Sequence, residues 1–302
     1  MQFLATFIMK GRMQAMMVAS TLALLSLLFP PVSIVSSATV ALVTLRLGAK
    51  AGFYVLLCSG AAAAVLSTLI LGGYQFALVY GLVLWLPVWL IAIILRVGRK
   101  LVVTLELAVL LGMAAVLGFY SLQDDPVQFW GGLLMAMMRP MLDSQPDVSP
   151  EMVQHSADMF AHVMTGAVAA GSVFGLLFGV FLARWWQANL YNPGGFRIEY
   201  LALRGHRSLA VFALLLLAVA NLGSGQIADI AWNLLIVLLV LYTFIGCAVL
   251  HSLFANGRNS RLWLSVFYIT LVAIPHVMLL VAVCGLVDTW LDLRNKFKPS
   301  GA

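Results

Sequence analysis

Apolar residues run along this chain in long stretches, broken by short clusters of basic residues, glycine and proline. Nine stretches stand out, at 13–29, 32–45, 51–72, 74–95, 101–120, 162–183, 208–222, 229–254 and 262–287. Most approach the roughly 20 residues that a helix needs to cross a hydrocarbon core of about 30 Å. The connections between them are short, and no sizeable soluble domain remains. The pattern predicts an all-α, polytopic transmembrane bundle of about 9–10 spans. Read as one helix, the first two stretches would measure about 50 Å, too long for one crossing, so Pro30-Pro31 predicts a turn between two short spans. The last stretch stays open. As one helix it measures about 39 Å and leaves Arg294, Lys296 and Lys298 on the outer side, whereas a hairpin at Pro275-His276 returns them inside on two short arms.

Two connections carry patterns of their own. Segment 121–160 holds an apolar, methionine-rich piece from Trp130 to Met141. Ser149-Pro150-Glu151 then follows, a helix start with serine as N-cap and proline at the first helical position. Segment 184–207 reads RWWQANLYNPGGFRIEYLALRGHR. Trp185, Trp186 and Tyr191 suit an interfacial belt, and Asn192, Pro193, Gly194 and Gly195 form a turn. Phe196, Tyr200 and Leu203 then share one face, as in a helix lying along the bilayer beside Glu199.

Composition agrees with the pattern: 63% of the 302 residues are hydrophobic and 9% charged, against about 25% charged in soluble domains. A soluble enzyme is thereby excluded. The formal charge of +6 is an orientation signal rather than a nucleic-acid footprint, because basic residues gather in cytoplasmic loops. With the N-terminus inside, Lys10, Arg12, Arg46, Lys50, Arg96, Arg99, Lys100, Arg184, Arg197, Arg204, Arg207, Arg258 and Arg261 all fall on the cytoplasmic side. Arg139 falls outside, and Asp124, Asp125, Asp143, Asp147, Glu151, Asp158 and Asp229 lie on that opposite side. The stretch Met13–Phe29 is longer than a signal-peptide core of about 7–15 residues, so cleavage is not expected. Cys58, Cys247 and Cys284 sit singly in apolar runs and read as buried small hydrophobes.

Little chemistry is visible. GxxxxGK[ST], GxSxG and HExxH are absent, and neither an enzyme activity nor a cofactor is expected. Glu151, His155, Asp158 and His162 share one helix face, which suits either a transition-metal or pH-sensing site or a solvated polar face. Glu106, Asp229, Asn233 and His276 are the intramembrane polar candidates; they are too scattered for a proton relay. Ala15, Ala19 and Ala23 form one small-residue row, and Gly171, Gly175 and Gly179 another. Such rows let helix backbones approach closely, either within the protein or against a partner.

The segment RWWQANLYNPGGFRIEYLALR, 184–204, resembles the signature of the YybS-like family of bacterial polytopic membrane proteins of unassigned function. HVMTGAVAAG, 162–171, and DTWLDLR, 288–294, are similar too. The first six spans are also distantly similar to the S components of energy-coupling-factor vitamin transporters, in the row Ala15, Ala19, Ala23 and in the glycines of Gly48-Ala-Lys-Ala-Gly52. That resemblance implies an S-component-like six-helix core over 1–183, with the alanine row docking on a membrane or ATPase partner subunit. A small-molecule ligand would lie under Phe29–Ser33 and 121–160, with Trp130–Met141 as a lid. Residues 184–207 then form a cytoplasmic amphipathic loop, and 208–302 add further membrane helices and a basic tail. The expected function is binding or transport of a small molecule from the extracytoplasmic side of the bacterial inner membrane. The alternative is a non-transporting scaffold or regulator working through 184–207.

Overall fold

The computed structural model describes residues 2–144, 149–255 and 259–296; Asp147, Arg258 and Lys298 lie outside the described residues. In chain order the helices are α1 Gln2–Met9, α2 Arg12–Leu25, α3 Val32–Leu47, α4 Ala49–Leu71, α5 Gln75–Tyr80, a π-turn Gly81–Trp85, α6 Leu86–Gly98, α7 Leu101–Leu122 and α8 Pro126–Ser144. There follow α9 Pro150–Tyr191, α10 Gly195–Leu201, α11 Arg207–Leu222, α12 Gly225–Ala255, α13 Ser260–Ala273, α14 Val277–Leu291 and α15 Leu293–Lys296. No strand occurs among the described residues.

Each of the nine apolar stretches is helical. Five are long and apolar enough to cross a membrane: α4, the run Gln75–Gly98, α7, α9 and α12. Three are shorter, α2 with 14 residues and α3 and α11 with 16 each. The last is the pair α13 and α14, bent by 119°. The protein is an integral, multi-pass membrane protein. Its breaks have local causes. Pro30 and Pro31 separate α2 from α3, and Pro275 lies in the bend between α13 and α14, so that stretch is not one straight helix. Pro87 has no N–H to give to the carbonyl four residues back, and the turn just before it takes π spacing, with Leu86 N–H donating to Gly81 O. Ser149 caps α9, its Oγ 3.5 Å from Met152 N.

The chain forms two compact units, Met1–Ala108 with Ser172–Leu203, and Val109–Gly171 with Arg204–Ala302. These do not follow the sequential blocks 1–183, 184–207 and 208–302. The loop up to Leu203 belongs to the first unit, and residues 109–171 go with the C-terminal helices.

In the first unit α3 is the central element, with every residue from Ser36 to Leu45 buried. Ala15, Ala19 and Ala23 of α2 are fully buried, and Ser36 Oγ donates to Ala19 O at 2.7 Å. The alanine row therefore does not present a docking face to a partner subunit. Its small side chains let α3 approach closely enough for a serine to reach a backbone carbonyl. Gly179 plays the same part on α9, since a Cβ there would lie 2.3 Å from Ser37 Oγ. Gly171 and Gly175 meet nothing within 4 Å, so the glycine row is not one continuous seam.

In the second unit α12 is buried along most of its length, and α14 crosses it backbone to backbone. A Cβ on Gly246 would lie 1.9 Å from Val281 O, and one on Gly285 would lie 2.2 Å from Tyr242 O. Residues DTWLDLR close the end of α14. Asp288 and Arg294 pair at 3.4 Å, and Asp288 Oδ1 accepts from Leu293 N–H at 2.8 Å. Asp292 pairs with Arg204 at 3.0 Å, which joins segments 184–204 and 288–294. The Arg204 hydrogen bond holds the Asp292 carboxyl below the ordinary carboxylate range.

Candidate anion-binding cavity

In the first unit the C-terminal ends of α3 and α6 meet α9 and the loop after it. Both helix ends and α9 carry arginines, which the sequence pattern places on one side of the bilayer as an expectation. They converge on a cavity of about 500 Å³ lined by Leu45, Arg46, Leu95, Arg96, Arg99, Arg184, Gln187, Asn192 and Glu199. Four guanidinium groups thus face one carboxylate.

Each arginine is held differently. Arg96 donates to Leu45 O at 2.6 Å, capping a carbonyl at the end of α3, where the helix dipole favours a cation. Gln187 lies against the same carbonyl at 3.4 Å. Arg46 lies over the Tyr191 ring at 3.9 Å, a cation–π contact that uses the guanidinium face and leaves its in-plane N–H groups available. Arg99 ends α6 in the left-handed region, with φ 52° and its backbone N–H donating to Leu95 O, and among the described residues its guanidinium makes no hydrogen bond or ion pair. Arg184 meets Glu199 through two contacts, Nε to Oε2 at 2.9 Å and Nη2 to Oε1, and its Nη1 reaches Gln187 Oε1 at 3.1 Å.

The loop supplies Glu199 by folding back. Asn192, Pro193 and Gly194 turn the chain, Gly194 at φ 86°, where a residue with Cβ is strained. Gly195 starts α10. Phe196 and Tyr200 then pack on Phe181 with ring centroids 5.9 and 6.0 Å away, and Leu203 is buried. The face Phe196–Tyr200–Leu203 thus packs on the protein itself. Trp186 is corrected likewise. It is fully buried and its indole nitrogen has no hydrogen-bond partner among the described residues, so it is a core residue rather than part of an interfacial belt. Trp185 is half-buried and Tyr191 exposed.

The other sequence candidates are placed elsewhere. Asn233 is fully buried in the second unit and is the hub of a polar network that sequence reading treated as one scattered group. Its Nδ2 donates to Tyr120 Oη at 3.1 Å, His162 O at 2.6 Å and Asp229 O at 2.7 Å, and its Oδ1 accepts from Gly166 N–H. Gly166 is what lets α12 come so near, because a Cβ there would lie 2.6 Å from Asn233 O. His162 pairs with Asp229 at 2.9 Å. Trp130 Nε1 donates to Thr165 Oγ1 at 2.9 Å, which fastens the segment expected as a lid onto α9.

Glu151, His155 and Asp158 are exposed, and Asp158 accepts from Gln154 at 2.8 Å. Among the described residues no three His, Cys, Asp or Glu side chains gather as a metal site. Glu106 is half-buried, and His276 is exposed at the bend before α14.

Near the Pro30-Pro31 turn, Trp85 is fully buried and donates to Ser36 Oγ at 3.2 Å. Trp85 thus covers Ser36 near the start of α3, whereas the arginine cavity lies at the C-terminal end of that helix. No family model, no curated protein and no solved structure matches this chain.

Proposed function

We propose that the protein binds an anionic small molecule or headgroup at the arginine cavity, from the cytoplasmic side of the bacterial inner membrane. The observation that carries this reading is the convergence of Arg46, Arg96, Arg99 and Arg184 on one space with Glu199 as its single carboxylate among the described residues. Basic residues at span ends need only lie on one side of the bilayer to orient a protein. Orientation does not require them to surround a cavity, nor to leave Arg46 and Arg99 without an anionic partner among the described residues. A pocket lined by several cations raises the local concentration of anions and strengthens their binding. Guanidinium forks also match the planar and tetrahedral oxygens of carboxylate and phosphate.

This reading puts the ligand at the C-terminal end of α3, away from Phe29–Ser33 before its N-terminal end, and uses no residue of 121–160, where the S-component resemblance would also have it. Binding here is compatible with a transport cycle and with a regulatory role for 184–207, since that loop forms part of the cavity wall. Native mass spectrometry of the gently purified full chain tests the proposal. An anionic adduct retained by the wild type and lost from Arg46→Gln/Arg99→Asn is the expected result. An adduct kept equally by both proteins contradicts the assignment.

A further inference from the structure

Resting on the anion-site reading, we infer that Glu199 is a built-in competitor for Arg184 and that the cavity takes a phosphate group, which displaces Glu199 and loosens α10. The carboxylate already occupies the position an anionic ligand would want, with two oxygens on the Arg184 fork. The pair is half-shielded, at 15% and 30% side-chain exposure, so an incoming anion can reach it.

Phosphate has an advantage over a carboxylate. Its tetrahedral oxygens can accept from Arg184 and still face Arg46 and Arg99, whereas the flat Glu199 carboxylate uses both oxygens on one fork. The two uncommitted guanidiniums are then what makes the exchange favourable.

The segment that carries Glu199 is built to let go. Helix α10 has seven residues and none of them is buried. It starts from Gly195, just after the positive-φ residue Gly194. Apart from the aromatic contacts of Phe196 and Tyr200 with Phe181, the Glu199–Arg184 pair is its charged tie to α9. Phosphate in the cavity therefore removes this charged tie, while the aromatic contacts of Phe196 and Tyr200 stay. Ligand occupancy on this side would be read out as mobility of α10, whose Ile198 is 73% exposed.

The experiment uses the full chain in nanodiscs of zwitterionic lipid, with two probes: inorganic phosphate, and nanodiscs doped with phosphatidic acid as a phosphomonoester headgroup. Hydrogen exchange of 195–201 is followed in the wild type, and phosphate affinity is compared with Glu199→Gln. The expected result is faster exchange of α10 when either probe binds, and phosphate binding at least about tenfold tighter in Glu199→Gln, the scale of one charge-assisted contact freed from competition. Response to phosphatidic acid alone identifies a headgroup, and response to inorganic phosphate alone identifies a free phosphate compound. If phosphate binds but α10 exchange stays unchanged, Glu199 is not displaced and the competitor inference fails, even if Glu199→Gln binds tighter through its lost charge. If neither probe binds wild type or variant, the anion-site reading itself fails. The wild-type exchange measurement needs no substitution, so it stands if Glu199→Gln folds poorly.

Discussion

Replacing Asn233 is the sharpest test of how the second unit is held together. Its amide makes three bonds to other helices, to Tyr120 of α7 and to His162 O and Gly166 N–H of α9. The two α9 partners are the carbonyl and the N–H that one turn of that helix would otherwise pair with each other. Asn233→Ala therefore costs less than three orphaned groups, because that turn can close on itself. Side-chain hydrogen bonds between membrane helices are worth about 0.6 kcal/mol on average and up to about 1.7 kcal/mol. Three of them, partly compensated, plus the small void left behind, give a loss of about 2 kcal/mol. Asn233→Asp is the harsher change despite its matching shape. It puts a buried acid against two backbone carbonyls and next to Asp229, so the loss exceeds that of the alanine variant. Reversible unfolding of the purified protein in mixed micelles, followed by tryptophan fluorescence, measures both. An alanine variant within about 0.5 kcal/mol of wild type, or an aspartate variant more stable than the alanine one, would refute the hub.

Other expectations follow from single contacts. Gly246→Val puts a side chain where Val281 O already lies, and should cost more than about 3 kcal/mol or abolish a monodisperse protein in size-exclusion chromatography. The glycine row should split in the same assay: Gly171→Ala is neutral or stabilising by up to about 1 kcal/mol, having open space and a helical backbone, whereas Gly179→Ala destabilises by pressing on Ser37. Asp292 has a folded pKa below its unfolded value, so its pairing with Arg204 stabilises fully above the unfolded carboxylate pKa of about 3.9 and fades as pH falls through the folded value. Arg204→Ala should therefore speed hydrogen exchange around 288–296 at pH 7 but not at the acid end; an equal effect at both pH values would remove the ion pair as the cause.

The elements were legible because their signals are local. Long apolar runs, Pro30-Pro31, Pro275 and the Ser149-Pro150 start act over one or two helical turns, and each is where the chain turns, bends or begins a helix. What faces what was not legible. Helical spacing puts Ala15, Ala19 and Ala23 on one face but does not say that α3 covers it. Trp186 has the amphipathic body of an interfacial residue, yet it is buried because its helix turns it into the core. The cavity was hidden for the same reason: Gln187 reaches a carbonyl 142 residues away, and no local pattern encodes that distance. Reading charges as topology marked Arg46, Arg96, Arg99 and Arg184 as same-sided, which was the available clue; their convergence is a property of packing. Asn233 stood out as an intramembrane polar residue sharing a helix face with Asp229, and Gly166 in HVMTG, the small residue that admits it, was the hint to its partners.

Equilibrium binding of radiolabelled inorganic phosphate to the full chain in nanodiscs is the most direct test of the anion cavity. The account predicts saturable binding of one phosphate per chain, weakened as salt is raised. It should fall at least about tenfold in Arg46→Gln/Arg99→Asn, which removes two charge-assisted contacts while asparagine tolerates the left-handed backbone at 99. Binding that is absent from the wild type, or unchanged when both arginines are neutralised, would contradict it.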